Sequence, residues 1–547
     1  SFLSSRRRAS RLGVKSHLDQ RVSLEFIWSN DDIDNESGGE EDDFASGTKN
    51  CDDNVINGRR DLEDFARLNV YMGGLHDAVV AGTLKIGLKW KNITSGKPAI
   101  KVWRNLSPNG GTEYLNDPEV AQQHLALTQP GYVKDADTYI IPTVFWQQVG
   151  LGANQPNGYL LFEGCAEGKG QLVMTILKAD GTEIGEGPGV WMDIKKPHEF
   201  IQRWTCGDGA LATVSTYYLD STKSGTFAAP TKDEEKDMVL YVHGYNMQEY
   251  EKQRWIETTY KRLYWLGYKG RVGGFTWPCS DSFLPYDQSE LRAWQSGAQL
   301  KDLLTVLKSQ GYRVHVLAHS QGNVVMGEAL RQSGPGSSLV STYIASQAAI
   351  PGHCYNPQAE LFPFQSYMDD GTPNVYARYW KPGSPDRWPE NWPEGNPAYL
   401  APVYMNGAAG KYVNYYNDVD YALTGTAIDQ GAWELTNKLK PNGTEYVSYS
   451  STDGFRQRPG GGATIFNLIF PDDRFGVFAY GAEARSRALG ARETGGVFTE
   501  EVNLKTEFGF TDERIYHSGQ FRSFYAQRWQ YWYAVLDACQ LSPRANP

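Results

Sequence analysis

"VHVLAHSQGNVV", residues 314–325, decides how the second half of this chain is read. It runs from alternating Val and His through Ala-His-Ser-Gln-Gly into what reads as the first turn of a helix. A small residue two places before a serine and a glycine two places after it let a strand turn sharply into a helix. Such a turn forces the serine into an unfavourable backbone conformation, and larger side chains at the flanks would clash. Ala318 and Gly322 fill those places around Ser320, with alanine where glycine is usual. The competing reading is a serine that merely caps a helix after a buried strand. Five residues alone do not separate the two, so the surrounding chain must.

Around the serine the pattern is regular. "DMVLYVHG" (237–244) reads as a strand and 248–265 as a helix; "RVGGFTWP" (271–278) is a second strand and 288–310 a second helix. The opening stretch is then a third strand, followed by a helix over 322–332 and a strand at 341–348. Strands alternating with amphipathic helices predict parallel βαβ units, hence an α/β domain with a mostly parallel sheet flanked by helices. "KYVNYYN" (411–417) resumes the strands, and 427–439 reads as another helix. Near the C-terminus Phe521, Tyr525, Trp529, Trp532 and Leu536 share one helical stripe, expected to be core.

Upstream the rhythm is different. "VSLEFIW" (22–28) and "LKIGLKWK" (84–91) alternate with period two, and "TYIIPTVFW", "GYLLFEG" and "GQLVMTILKADG" follow between turn residues. This predicts an antiparallel, sandwich-like β-rich module over 1–218, with 219–236 as a polar linker and 237–547 as the α/β domain. A length of 547 residues is too great for a single core, in keeping with two domains.

Composition excludes some classes. The net charge of -11 argues against a non-specific nucleic-acid binder. Six cysteines without a C-x-x-C pair argue against a zinc site, and their even number allows disulfides in an exported protein without requiring them. No apolar run has the length of a membrane span. The chain starts at Ser1 with a basic stretch and no signal-peptide core, and reads as trimmed or processed.

A serine needs a base to take its proton, and that base is a histidine held by a carboxylate. In one chain order such a triad runs Ser, acid, His. Only His353 and His517 of the nine histidines follow Ser320, and His353 lies too near to leave room for an acid-bearing strand. His517 therefore becomes the candidate base. The acid is expected just beyond the strand after 410, where Asp418 and Asp420 both stand; either could instead be a turn or capping aspartate. An oxyanion would be met by the backbone N–H of Gln321 and by a donor after the first α/β strand, Tyr245 N–H in "YVHGYN", where Gly244 allows close approach. His243 reads as structural within that loop, and His315 and His319 as structural or substrate-facing.

"VLYVHGYN", "GFTWPCSDSFLPYDQSE", "VLAHSQGNVV" and "YHSGQF" together resemble the α/β-hydrolase superfamily over about 237–538. Within it they look like a poorly characterised bacterial esterase/lipase-like branch with Trp-Pro after the second strand. The resemblance implies a serine hydrolase with Ser320 as nucleophile and His517 as base. Relatives of this type carry the acid in an N-x-x-D-x-A-L run, which Asn417 to Leu423 matches with Asp420, leaving Asp418 in reserve.

The segment 351–410 interrupts the α/β rhythm with ten of the 27 prolines and with Trp380, Trp388 and Trp392. A loop of that length is expected to be a lid or binding insertion, with those tryptophans as candidate substrate contacts and a packed excursion as the alternative. "SNDDIDNESGGEEDD" (29–43) spaces Asp32, Asp34 and Glu36 as a calcium loop would. Ser37 replaces the expected glycine and the distal Glu is out of register, so a solvated acidic loop is the better reading and Ca²⁺ the alternative. The chemistry implied is ester hydrolysis without a required cofactor, on a bulky or aromatic small molecule, a lipid or a polymer. The rivals are a lipase or phospholipase, and an inactive hydrolase fold used for binding or adhesion. A secreted or cell-envelope location is expected from the architecture of a β-module fused to a hydrolase.

Overall fold

The computed structural model describes residues 24–28, 64–107, 131–134, 137–207, 216–227, 230–279, 286–350, 355, 405–418, 420, 423, 489–491, 493–494, 496–510, 517–521 and 528–541. They fall into two compact units, one of Ser1–Phe200 with Arg522–Trp529 and Ala545–Pro547, and one of Ile201–Phe521 with Gln530–Arg544.

The first unit holds strands β1 (Leu24–Trp28), β2 (Ala66–Tyr71), β3 (Leu84–Asn105), β4 (Gly131–Val133), β5 (Tyr139–Ile141), β6 (Asn157–Lys178) and β7 (Glu183–Lys195), with short helices α1 (His76–Val80) and α2 (Thr143–Gln148). The strands form one seven-stranded sheet in the order β1-β7-β6-β3-β4, with β2 added to β6 and β5 to β3. All pairs are antiparallel except β1 with β7.

Among the described residues the strands expected to form a sandwich share one hydrogen-bonded sheet. "GYLLFEG" and "GQLVMTILK" are two parts of the single strand β6, which runs antiparallel to the equally long β3. Alternation reports which face of a strand is buried, and it is silent on how many sheets share the strands. Ile86, Leu88 and Trp90 are buried as their period demands, while Lys89 and Lys91 on the opposite face pair with Glu183 and Glu186. "TYIIPTVFW" likewise divides. Pro142 has no N–H for the ladder, so the strand stops and Thr143 begins a helix.

The second unit is built on β8 (Gln202–Cys206), β9 (Tyr217–Leu219), β10 (Asp237–Val242), β11 (Arg271–Thr276), β12 (Arg313–His319), β13 (Val340–Ser346), β14 (Ala409–Tyr416) and β15 (Glu500–Asn503). Its helices are α3 (Glu249–Trp265), α4 (Tyr286–Ser309), α5 (Gly322–Ser333), α6 (Leu504–Phe508) and α7 (Arg528–Ala538). The order is β15-β14-β13-β12-β10-β11-β8-β9, parallel throughout except for β9 on β8. β8 and β9 were assigned by sequence to the β-rich module and the start of the linker; here β8 pairs with β11 and extends the α/β sheet.

β10 carries β11 on one side and β12 on the other, so the strand order reverses there. In open α/β sheets the crevice outside the carboxyl ends of strands at such a reversal is where ligands bind. Val242 on β10 is paired with Ala318 on β12, so the chain leaves both strands at the same end, through His243-Gly244 and His319-Ser320.

Candidate active site

Ser320 sits between the end of β12 and the start of α5 with φ +52°, a left-handed backbone that a non-glycine residue adopts only when its surroundings impose it. The surroundings are specific. A Cβ at Gly322 would lie 2.4 Å from His243 O and 2.6 Å from Val242 O, so only glycine lets the turn rest on the end of β10. Ala318, the departure from the usual glycine, lies fully buried in β12. The Asn323 side-chain amide donates to Ala318 O (3.1 Å) and Ser320 O (2.9 Å), bridging the turn, and its own carbonyl accepts from the Tyr343 hydroxyl at 2.8 Å. Ser320 N–H donates to Ser346 O at 3.1 Å, which ties the turn to β13.

The structure brings Ser320, His517 and Asp420 together. Ser320 Oγ is 2.8 Å from His517 Nε2, and His517 Nδ1 is 2.7 Å from Asp420 Oδ2. A carboxylate only accepts, so Nδ1 carries the proton and Nε2 is left to accept from the serine hydroxyl. Asp420 is fully buried in the turn that follows β14, where its N–H donates to Asn417 O. The reserve acid, Asp418, does not join them. It is half exposed and faces Lys505 at 3.5 Å.

Gly244 brings the loop after β10 against the turn: a Cβ there would stand 2.8 Å from Ser320 Cβ and 3.2 Å from His319 Nδ1. Tyr245 follows it, half-buried, and Asn246 takes φ +57°. Gln321 is buried at the N-cap of α5, and its side-chain oxygen accepts from Ser289 Oγ at 2.7 Å, so the side chain is engaged by α4. The two expected oxyanion donors therefore belong to chain segments that adjoin at the serine.

The other histidines have distinct places. His243 Nε2 accepts from Trp277 N–H at 3.0 Å and Nδ1–H donates to Gly244 O at 2.8 Å, with the His243 and Trp277 rings stacked. Burial, reinforced by the Lys252 charge, holds its pKa well below the ordinary value, so it is a neutral structural group. His319 Nε2–H donates to the backbone carbonyl of His517 at 2.7 Å, and its ring meets Trp255 and Phe521 edge-on. His315 lies within β12 beside Thr342 and 3.5 Å from Asp237, a residue that also binds Arg313. Phe521 and Trp255 stack at 4.4 Å between ring centres, and Trp532 of α7 packs on Phe521. Of the expected helical stripe, Phe521 lies in the turn that carries His517, Trp532 and Leu536 are buried in α7, and Tyr525 lies outside the described residues.

Two buried thiols are poor alternative nucleophiles. Burial pushes Cys206 up to about 12 and raises Cys539 as well, which suppresses the reactive thiolate. Among the described residues no group of three His, Cys, Asp or Glu side chains could hold a metal ion, and no helix is long and apolar enough to cross a membrane. Trp380, Trp388 and Trp392, and the Asp32, Asp34 and Glu36 loop, lie outside the described residues, as does the helix expected over 427–439.

Residues 220–342 match a family described as "Alpha/beta hydrolase of unknown function (DUF900)". Over these residues the chain is similar to α/β-hydrolases. The α/β-hydrolase match takes in Tyr245, Ser320 and Gln321 and ends before Asp420 and His517. No curated protein and no solved structure matches the chain.

Three residues of this site escape a reading by motif. Asn323 bridges the turn, Gln347 donates to Asp420 Oδ2 at 3.2 Å, and Gln520 donates to Gln347 Oε1 at 2.9 Å. Neutral amides carry no spacing rule, and the one available signal is that Asn323 follows directly on the Ser-x-Gly turn.

Proposed function

We propose that the protein is a serine hydrolase that cleaves carboxylic esters through an acyl-enzyme intermediate. The observation that carries this reading is the continuous hydrogen-bonded path from Ser320 Oγ through His517 to the buried carboxylate of Asp420. The family match supports hydrolysis, and the resemblance of the sequence motifs to an esterase/lipase-like branch supports the ester.

Ser320 Oγ attacks the ester carbonyl carbon as its proton passes to His517 Nε2. Asp420 keeps the imidazole in the tautomer that can accept, and stabilises the imidazolium that forms. The carbonyl oxygen, now negative, is met by the backbone N–H groups of Gln321 and Tyr245. His517 then gives its proton to the leaving alcohol oxygen, the carbon–oxygen bond breaks, and the acyl group stays on Ser320. Water, activated by His517, attacks the acyl carbon and restores the serine. The tight packing of Gly244 and Gly322 supports this reading, since preorganised donors are effective only when the scaffold holds them still.

A panel of p-nitrophenyl esters of graded acyl length, assayed with the wild type and Ser320→Ala, tests the proposal. Hydrolysis by the wild type and its loss in the variant is the expected result, and retained hydrolysis in the variant would refute it. Activity that rises sharply when the ester forms an emulsion would redirect the substrate to lipids.

A further inference from the structure

The geometry points to Gln347 and Gln520 as positioning residues that hold Asp420 and His517 at a fixed distance from each other. The inference rests on the reading of those two as acid and base, and it assigns a role to a buried bridge that the triad itself does not require.

Four side chains close a ring. Asp420 Oδ2 accepts from His517 Nδ1 at 2.7 Å and from Gln347 Nε2 at 3.2 Å. Gln347 Oε1 accepts from Gln520 Nε2 at 2.9 Å, and Gln520 lies on the same short turn as His517, closed by Phe521 N–H on Ser518 O. Both glutamines are fully buried. The acid, on the turn after β14, is thus bonded to the histidine-bearing turn twice: once directly and once through two amides.

Each amide is itself anchored. Gln347 follows β13 with φ +44°, the same strained region that Ser320 occupies. Its N–H donates to Tyr415 O at 2.7 Å, and a Cβ at Gly490 would come within 2.2 Å of its carbonyl carbon, so a glycine is needed where that segment packs. Gln520 Nε2 also reaches Ser346 Oγ at 3.4 Å, a hydroxyl that accepts from Tyr531 of α7, and Gln520 O accepts from Trp532 Nε1 at 3.3 Å. Strain held by this many partners at a site is a mark of over-determination.

The chemistry of the bridge fits positioning. An amide N–H satisfies one lone pair of the buried carboxylate without neutralising it, so the negative charge still faces His517 when that ring becomes cationic. A lysine or arginine there would compete for the charge. Among the described residues, ionisable groups facing the bridge include Asp420, His517 and, through Ser346, the Tyr531 hydroxyl.

The test is steady-state kinetics on p-nitrophenyl butyrate with Gln347→Met, Gln520→Met and the double variant, each checked for a cooperative melt. Methionine keeps the length and removes the hydrogen bonds. Each single variant is expected to lose roughly 10- to 100-fold in kcat with KM changed by less than about twofold, the loss that a misplaced catalytic group brings. The double variant is expected to fall no further than the worse single one, because both break one bridge. Unchanged kcat in folded variants, or losses that multiply, would overturn the inference.

Gln347→Glu keeps the inference testable if methionine at 347 prevents folding. Its protonated carboxyl can donate to Asp420 and its ionised form cannot, so its kcat relative to the wild type should fall as pH rises. A ratio flat in pH would count against the bridge. If the wild type itself neither hydrolyses esters nor reacts with a fluorophosphonate, the proposed function fails; an active wild type with indifferent glutamine variants overturns only this bridge.

Discussion

Gly244 is packed so closely on Ser320 that a Cβ at 244 would stand 2.8 Å from the Ser320 Cβ. Real Cβ atoms do not approach that closely, so Gly244→Ala must shift either the loop that carries Tyr245 or the turn that carries the serine. In the proposed mechanism both carry groups that act on one carbonyl, and a displacement of about 1 Å in such a group costs on the order of 100-fold in rate. The variant is expected to melt cooperatively while kcat for ester hydrolysis drops by about that factor and KM moves little. Stopped-flow or plate kinetics beside a thermal melt checks this, and an unchanged kcat would separate Gly244 from the oxyanion loop.

The two aspartates after β14 make opposite predictions. Asp420 is buried against His517, whereas Asp418 is half exposed and faces Lys505. Asp420→Asn puts an amide against Nδ1, disfavours the proposed working tautomer, and is expected to cut kcat by roughly 10⁴-fold, the loss the equivalent change brings in a serine protease triad. Asp418→Asn removes only a solvent-screened ion pair and should leave kcat within about twofold. Equal losses in both variants, measured on the same ester, would contradict the assignment of the acid.

His243 links acidity to stability. Burial first, then repulsion from Lys252, hold its folded pKa well below the ordinary value, against the hydrogen bond to Gly244. The unfolded chain therefore takes up a proton near pH 6.5 that the folded protein refuses. Stability is fully present above that pH and declines as pH falls toward the folded pKa, by at most about 1.4 kcal/mol per pH unit from this residue. Thermal melts from pH 7 to 5 should show the wild type losing stability, and His243→Gln should be less stable at pH 7 but flatter across the range. Parallel curves would show that His243 is not the group responsible.

These contrasts also show what a sequence can carry. The strands and helices from 237 to 348 are legible because burial on both faces of a parallel sheet leaves short apolar runs, and helices between them repeat on a 3.6-residue period. The Ser320 turn is legible because Gly322 is a steric requirement, forced by the carbonyls of β10. Gln202–Cys206 is different. Its five residues, Gln-Arg-Trp-Thr-Cys, carry no regular alternation, and nothing in them says which sheet the strand joins, so its pairing with β11 appears only in three dimensions. Gln347 and Gln520 are hidden for a related reason. A buried amide is defined by its partners, which come from just after β13, just after β14 and from the turn at 517–520, 73 and 173 residues apart in the chain. The residues alone leave Asp418 and Asp420 both open, only the resemblance to an N-x-x-D-x-A-L run favours Asp420, and which one meets a histidine is a matter of geometry.

The central claim is that Ser320 is an activated nucleophile, and covalent labelling tests it most directly. Folded wild-type protein is incubated with a fluorophosphonate and the modified residue is located by peptide mass spectrometry. The account predicts a single adduct on Ser320, slowed by orders of magnitude in Asp420→Asn and absent in Ser320→Ala. No adduct on folded wild type, or an adduct that persists in Ser320→Ala, would contradict it.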